Sequence, residues 1–387
     1  MDKKFVMGIA AMAALTLVSC SSDDLDSFSD NSSKNEAISF DGYLGRSAIA
    51  VNGTRGSEVK IGNLQTDGFG VFGKYTPAKG QASDLFFNQQ VTYDKSTDPA
   101  KWTYSPLKFW PSDGHIDFLA YAPYDKNTTL TGDSKIENFT VDEDIAKQKD
   151  LLWTNHMNHQ ITENITSAKE KVNFQFHHAL SRLGYTVKLT GNYSPDDVTF
   201  TLKKITLAGS STDAEKGAFY TSGTIDLAKE NKKEGLWSNQ AGQQKFDWFS
   251  GKYIVNKSTA SHPDKVDNGN RDQKEDYLFV IPQNFSDKIQ DASGQLKENS
   301  DKLYVIVEYD VTYNSGTKTT ITNKVYKQIT TNFLQGKAYN LNLTIGLPIE
   351  FDVDVTGNIG AGVDGWETPD DGTGDITIGS NENPWER

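Results

Sequence analysis

At 387 residues the chain is long enough for two ordinary domains, each with its own core. A net charge of −13 argues against nucleic acid or an anionic membrane surface as partner, because both reward clustered Lys and Arg. The single cysteine rules out any intrachain disulfide, and an aromatic content of 11% with abundant Thr, Val, Ile and Gly suits strands and turns.

The chain opens with Lys3 and Lys4 before an apolar run from Phe5 to Val18, ending Leu17-Val18-Ser19-Cys20. The run is too short to cross a bilayer and has the charge and length of a secretory signal. A small residue before Cys20 makes it resemble a bacterial lipoprotein signal, with residues 1–19 removed and Cys20 lipidated. Residues 20–36 are polar and acidic with almost nothing to bury, and read as a disordered tether. Asp23, Asp24 and Asp26 fit the surface-export signals of some outer-membrane lipoproteins, and a solvated linker explains them equally well.

The first strand signal is Ile38–Leu44. Ile38, Phe40 and Leu44 share one face with Gly42 between them, while Ser39, Asp41 and Tyr43 share the other. A Gly-Thr-Arg-Gly loop around Arg55 follows, and Arg46 lies nearer the strand. Gly68–Gly73 reads as a short apolar strand. It lacks the spacing, the Lys-Ser/Thr pair and the helix of a phosphate loop. Trp102–Tyr104 and then Leu107–Trp110 are expected as aromatic strand, stopped by Pro111. Ile116–Tyr124 is another strand, Asp142–Asp150 a short helix or loop, and Leu151–Trp153 a short buried strand.

Between 172 and 189 the apolar phase changes from even to odd positions, so a bulge or tight turn is expected near Ser181-Arg182. The turn formers of 190–197 place a domain boundary at 190. Val198, Phe200 and Leu202 alternate, and Ile205 and Leu207 resume after Lys203-Lys204. Residues 228–274 are polar around the aromatic island Trp237, Phe246, Trp248 and Phe249, and 262–271 reads as a long surface loop. Tyr277–Ile281 is a short strand and Leu303–Tyr313 a half-exposed antiparallel one. Odd positions from Tyr339 to Val355 are apolar throughout. One strand of that length would span roughly 55 Å, so Gly346 and Pro348 are expected to divide it in two. Near the end, Ile376 and Ile378 alternate among flexible residues.

No catalytic constellation emerges. There is no Gly-x-Ser-x-Gly elbow, and the only thiol is committed to lipid. His156 and His159 have a spacing that suits a helix face but fall in a segment that reads as loop. His177 and His178 point to opposite faces of a strand, which makes His178 a hydrogen-bonded core residue rather than a ligand. The 267–272 run lacks the final bidentate acid of a calcium loop. No metal, cofactor or enzyme activity is expected. Trp237, Trp248 and Trp366 are the candidates for a sugar-stacking surface.

Several stretches carry a family resemblance when taken in order. They are the lipoprotein signal, Ile38-Ser-Phe40, Thr54-Arg55-Gly56, Phe69–Phe72, Phe118–Pro123, Phe176–Leu183 and Gly336–Leu343. Together they resemble the fimbrillin family of type V pili over nearly the whole chain after the tether. The resemblance implies an all-β fold of two tandem transthyretin-like antiparallel β-sandwich domains, here 37–190 and 191–365, with 366–387 as a tail and potential donor strand. It further implies a lipoprotein held in the outer membrane, cut by an arginine-specific surface protease after the first strand, with Arg55 favoured and Arg46 second. Loss of Ile38, Phe40 and Leu44 would open an apolar groove. A neighbouring subunit would fill it, with a strand around Ile376 and Ile378 or with Ile349–Val355. The adhesive partner would be a host or bacterial surface glycan or protein receptor. The competing expectation is a non-polymerising surface lipoprotein that binds glycans.

Overall fold

The computed structural model describes residues 37–44, 61–161, 171–229, 236–256, 258–263, 277–347 and 349–357. Cys20, Arg46, Arg55, Trp366, Ile376, Ile378 and the 267–272 run lie outside the described residues.

In chain order the first half carries β1 (Phe40–Leu44), α1 (Ile61–Asp67), β2 (Phe69–Thr76), β3 (Ser83–Asp94), β4 (Lys101–Thr103), β5 (His115–Ala122), β6 (Lys135–Thr140), β7 (Leu152–Gln160) and β8 (Val172–His178). The second half carries β9 (Ser181–Leu189), β10 (Val198–Ala208), β11 (Ser222–Asp226), β12 (Trp237–Ala241), β13 (Phe246–Val255), β14 (Leu278–Val280), β15 (Gln283–Asn284), β16 (Lys288–Gln290), β17 (Leu296–Glu298), β18 (Leu303–Tyr313), β19 (Thr319–Ile329), β20 (Asn332–Phe333), β21 (Ala338–Gly346) and β22 (Glu350–Gly357). The fold is all-β. Its largest sheet has seven strands in the order β1-β8-β7-β5-β2-β3-β4. That sheet curls into a nearly closed barrel, because the residues just before β1 meet the segment just after β4 through an Ala37–Phe109 bridge.

The seven-stranded sheet is covered on both faces. Phe69, Val71, Ile116, Phe118, Ala120 and Leu152 belong to the core inside the barrel. Their neighbours Phe72, Leu119, Tyr121 and Trp153 belong to a second core shared with the later strands. A sheet buried on both sides needs near-continuous apolar runs, and Phe118-Leu-Ala-Tyr-Ala is one. Gly68 ends α1 at φ 72, where a Cβ would lie 2.4 Å from the Val91 carbonyl oxygen.

The later strands form two four-stranded sheets, β13-β10-β18-β19 and β14-β9-β21-β22, facing across the second core. The interruption at Lys203-Lys204 is a bulge in β10, where both partner registers shift between Leu202 and Lys204. The long odd-position pattern resolves into the β21–β22 hairpin, with Leu341 opposite Val355 and Leu343 opposite Val353.

Several expectations change. β9, which precedes the boundary expected at 190, lies between β14 and β21 in a sheet otherwise made of later strands. The phase change at 178–183 is therefore a crossing between sheets through Ala179 and Leu180 rather than a bulge in one strand. β6, from the first half, joins β11 and β12 in a three-stranded sheet, so the halves interlock. Two pairs, β1–β8 and β9–β21, run parallel rather than antiparallel. Leu107–Trp110 is not a regular strand, since β4 stops at Thr103. The expected loop around His156 is strand, because β7 continues to Gln160. β18, between β10 and β19, keeps the alternation expected of it: Leu303, Val305, Val307, Tyr309 and Val311 are buried, and on the other face only Ile306 is.

Candidate functional site: the first-strand groove

β1 is a short edge strand with an apolar face. Ile38, Phe40 and Leu44 are 1%, 2% and 1% exposed, whereas Tyr43 on the opposite face is 45% exposed. Phe40 sits within 6 Å of four rings. It stacks on Phe174 at 5.6 Å and meets Phe86, Tyr104 and Phe118 at 5.3, 5.4 and 5.9 Å. These rings come from β3, β5, β8 and the segment after β4, so one side chain ties the barrel together across its width.

The backbone of the first strand is held on both sides. β8 runs parallel to it in the register Phe40–Val172 to Leu44–Phe176. The Val172 amide donates to the Ser39 carbonyl at 2.9 Å. On the other side, the Ile38 amide donates to the Lys108 carbonyl at 2.8 Å, and the Tyr104 hydroxyl donates to the Ile38 carbonyl at 2.7 Å. Burial pushes the Tyr104 phenol above the ordinary tyrosine range, which keeps it a neutral donor. β8 has five residues in register with β1 and only two with β7, so most of its pairing depends on the first strand.

Gly42 shapes the groove. A Cβ there would lie 3.0 Å from Phe69 Cε1 and 3.4 Å from Phe176 Cε2. Phe69 has little room to yield, being fully buried against Trp102 at 4.9 Å and Phe176 at 5.2 Å. The groove thus offers pockets for Ile38, Phe40 and Leu44, and a closed wall at Gly42.

The structure brings the three expected apolar residues into one site. It removes two of the three sugar-stacking candidates: Trp248 is 3% exposed against Tyr185, and Trp237 is half-buried with its Nε1 donating to the Ala179 carbonyl at 2.7 Å. His178 is the buried core histidine expected, with Nδ1 2.7 Å from Asp150 Oδ2. His262, expected on a surface loop, is 3% exposed and packs on Tyr185 at 4.4 Å. Sequence reading missed Tyr104 and Lys108. Their part in the site depends on a segment 66 residues from Ile38 in sequence folding back onto it, and no local pattern marks that.

Among the described residues no group of three or more His, Cys, Asp or Glu side chains is placed to hold a metal. No described helix is long and apolar enough to cross a membrane.

The comparisons with known proteins agree with this architecture. The fimbrillin-like family model matches residues 54–366. The fimbrium subunit Fim1C of Phocaeicola vulgatus is 25% identical over 399 residues, covering 96% of this chain and 98% of that protein. A solved fimbrial protein from Bacteroides vulgatus shares the fold, with a TM-score of 0.53 at 20% identity over 84% of this chain and 99% of that one. The chain belongs to the fimbrillin-like family and is a structural, non-catalytic subunit of a surface fimbria at the outer membrane, where it works by associating with other fimbrial subunits.

Proposed function

We propose that this subunit reaches the cell surface as a lipoprotein through the 1–19 signal and Cys20. An arginine-specific protease then releases the first strand, and the subunit polymerises when a neighbour's strand takes the vacated groove. The domain plan of the proposal is two tandem transthyretin-like sandwiches, with the border at the β8–β9 crossing in place of the one at 190. Arg55 is the favoured cut and Arg46 the second. The observation that carries the reading is the construction of the first-strand site: Phe40 and Leu44, near-fully buried on a five-residue edge strand that supplies most of β8's pairing, with Ile38 equally buried just before it. Without that strand, the exposed rings and unpaired backbone groups of β8 form a template for another strand.

The groove also constrains the donor. An occupant in the native register needs apolar residues in the Ile38, Phe40 and Leu44 pockets and glycine at the Gly42 wall. Val353-Asp-Val355-Thr-Gly357-Asn-Ile359 has that pattern. The tail candidate does not: with Ile376 and Ile378 in the first two pockets, Ser380 meets the wall and Glu382 falls in the apolar Leu44 pocket. Among the described residues β22, which contains Val353–Gly357, is an edge strand paired with β21 alone, and its Asp352 is tied to Lys327. Its valines are buried in their own core, so exchange moves them from one apolar site to another.

The test is to treat the purified precursor with an arginine-specific protease and follow ladders on mildly heated gels. The expected result is ladder formation that Arg46→Ala plus Arg55→Ala abolishes and that a synthetic 350–360 peptide inhibits. Unchanged processing and assembly in the double variant would overturn the plug model. Inhibition by a 374–384 peptide and not by 350–360 would reverse the donor assignment alone. The adhesive receptor, a host or bacterial surface glycan or protein, belongs to the proposal without a site on the described residues.

A further inference from the structure

On a regular strand, residues three apart point to opposite faces. His156 and His159 do not, because β7 carries one extra residue between them. Its register to β5 shifts between the Ile116–His159 and Phe118–His156 pairs, so Asp117 alone faces Met157 and Asn158. Asn158 absorbs the extra residue at φ 57, and its amide is fastened to Asp117 Oδ1 at 2.6 Å. Both imidazoles therefore project to one side and share an N–H···N hydrogen bond, His156 Nε2 to His159 Nδ1 at 3.0 Å, whose proton a bound ion would displace to solvent. The His159 ring is backed by Trp110, stacked at 4.9 Å and 24°.

We propose that His156 and His159 form a two-imidazole site for a divalent late transition-metal ion. Two nitrogens 3.0 Å apart, each about 2.0–2.1 Å from one ion, subtend about 95°. That is close to the right angle between neighbouring ligands in the tetragonal geometry of Cu²⁺ or Ni²⁺, and tighter than the tetrahedral angle of Zn²⁺. Water would complete the coordination, since both rings are only half-buried. The position gives the site a structural consequence. Trp110 directly follows Lys108 and Phe109, the residues that hold Ile38 and Ala37. An ion fixing His159 against Trp110 would stiffen the segment that retains the first strand.

The test is calorimetric titration of the untagged full chain with Ni²⁺, followed in parallel by tryptophan fluorescence. The expected result is saturable one-to-one binding with quenching that Trp110→Phe reduces. His156→Asn and His159→Asn should each weaken binding about tenfold or more, while His115→Asn, on the adjacent strand, leaves it unchanged. Should either histidine variant misfold, the unaltered chain still decides the matter through chemical modification of histidines with mass-spectrometric readout. Ni²⁺ should then protect His156 and His159 and leave His115 reactive. Absence of saturable binding, binding that survives both substitutions, or protection confined to other histidines would overturn the site.

Discussion

Phe40→Ala isolates the energetics of the first strand. Burying Ile38, Phe40 and Leu44 is worth about 1.5–3 kcal/mol each, so the apolar part of docking amounts to about 5–9 kcal/mol. Phe40 is 2% exposed and touches four rings. Its truncation should cost about 3–5 kcal/mol, the range for a core Phe→Ala. The loss falls mainly on undocking of an edge strand, a local opening, rather than on unfolding of both cores. Native-state hydrogen exchange of the Ile38 and Val172 amides reads that opening, because both donate across the first strand's edges, at 2.8 and 2.9 Å. At 1.4 kcal/mol per tenfold, their exchange should accelerate at least about 100-fold, while amides of β10 and β18 keep their protection. Acceleration of less than about tenfold, or equal acceleration in both cores, would refute the view that β1 is a separable plug.

Tyr104→Phe removes the donor to the Ile38 carbonyl and should weaken first-strand docking by about 0.5–1.5 kcal/mol, measured by the same two amides, with no change in the second core. His178→Ala leaves Asp150 buried without its imidazole partner and should lower unfolding free energy in urea by about 3–5 kcal/mol. The His178→Leu, Asp150→Leu pair should recover much of that loss. Asp247 is pushed upward by burial but more strongly downward by bonds from Lys245, Lys204 and Thr206, so its carboxyl titrates below the ordinary aspartate range. A depressed folded-state pKa contributes stability that is present above the unfolded value of about 3.9 and disappears as pH falls through the folded one. Asp247→Asn should therefore destabilise the chain at pH 7, and thermal melts of the two proteins should converge as the pH falls from the unfolded value of about 3.9 through the lower folded one.

Much of the strand content was legible because one-sided burial imposes period two. The β21–β22 hairpin, the bulge at Lys203-Lys204 and the buried face of β1 all follow from alternation and its breaks. What stayed hidden were features set by distant pairing. The even-to-odd switch after His178 is visible in the sequence, but a bulge and a change of sheet produce the same letters, and only the partners of β9 separate them. The histidine spacing on β7 was unreadable for a related reason. An αL residue such as Asn158 inside a strand looks like a loop former until a neighbouring carboxylate, here Asp117, holds its amide. The strap through Tyr104 and Lys108 carries ordinary aromatic residues, and nothing in their local order distinguishes a strand from a latch. In the groove, the apolar residues were apparent and the wall was not, since a glycine's role depends on Phe69 pressing against it.

The direct passage from β8 to β9 has a mechanical meaning for a subunit built into a fibre. Tension applied to the strand lying against β8 enters the second core through two residues, Ala179 and Leu180, with no slack loop to stretch first. It arrives on β9, which is clamped on both sides by β14 and β21. Because the groove strand and β8 run side by side in the same direction, a pull along their axis opposes the whole ladder at once instead of unzipping it one bond at a time. Under the proposed exchange, a neighbour's strand that takes the direction of β1 would be loaded in shear, and resistance to rupture would depend on the length of overlap in the groove more than on any single contact there.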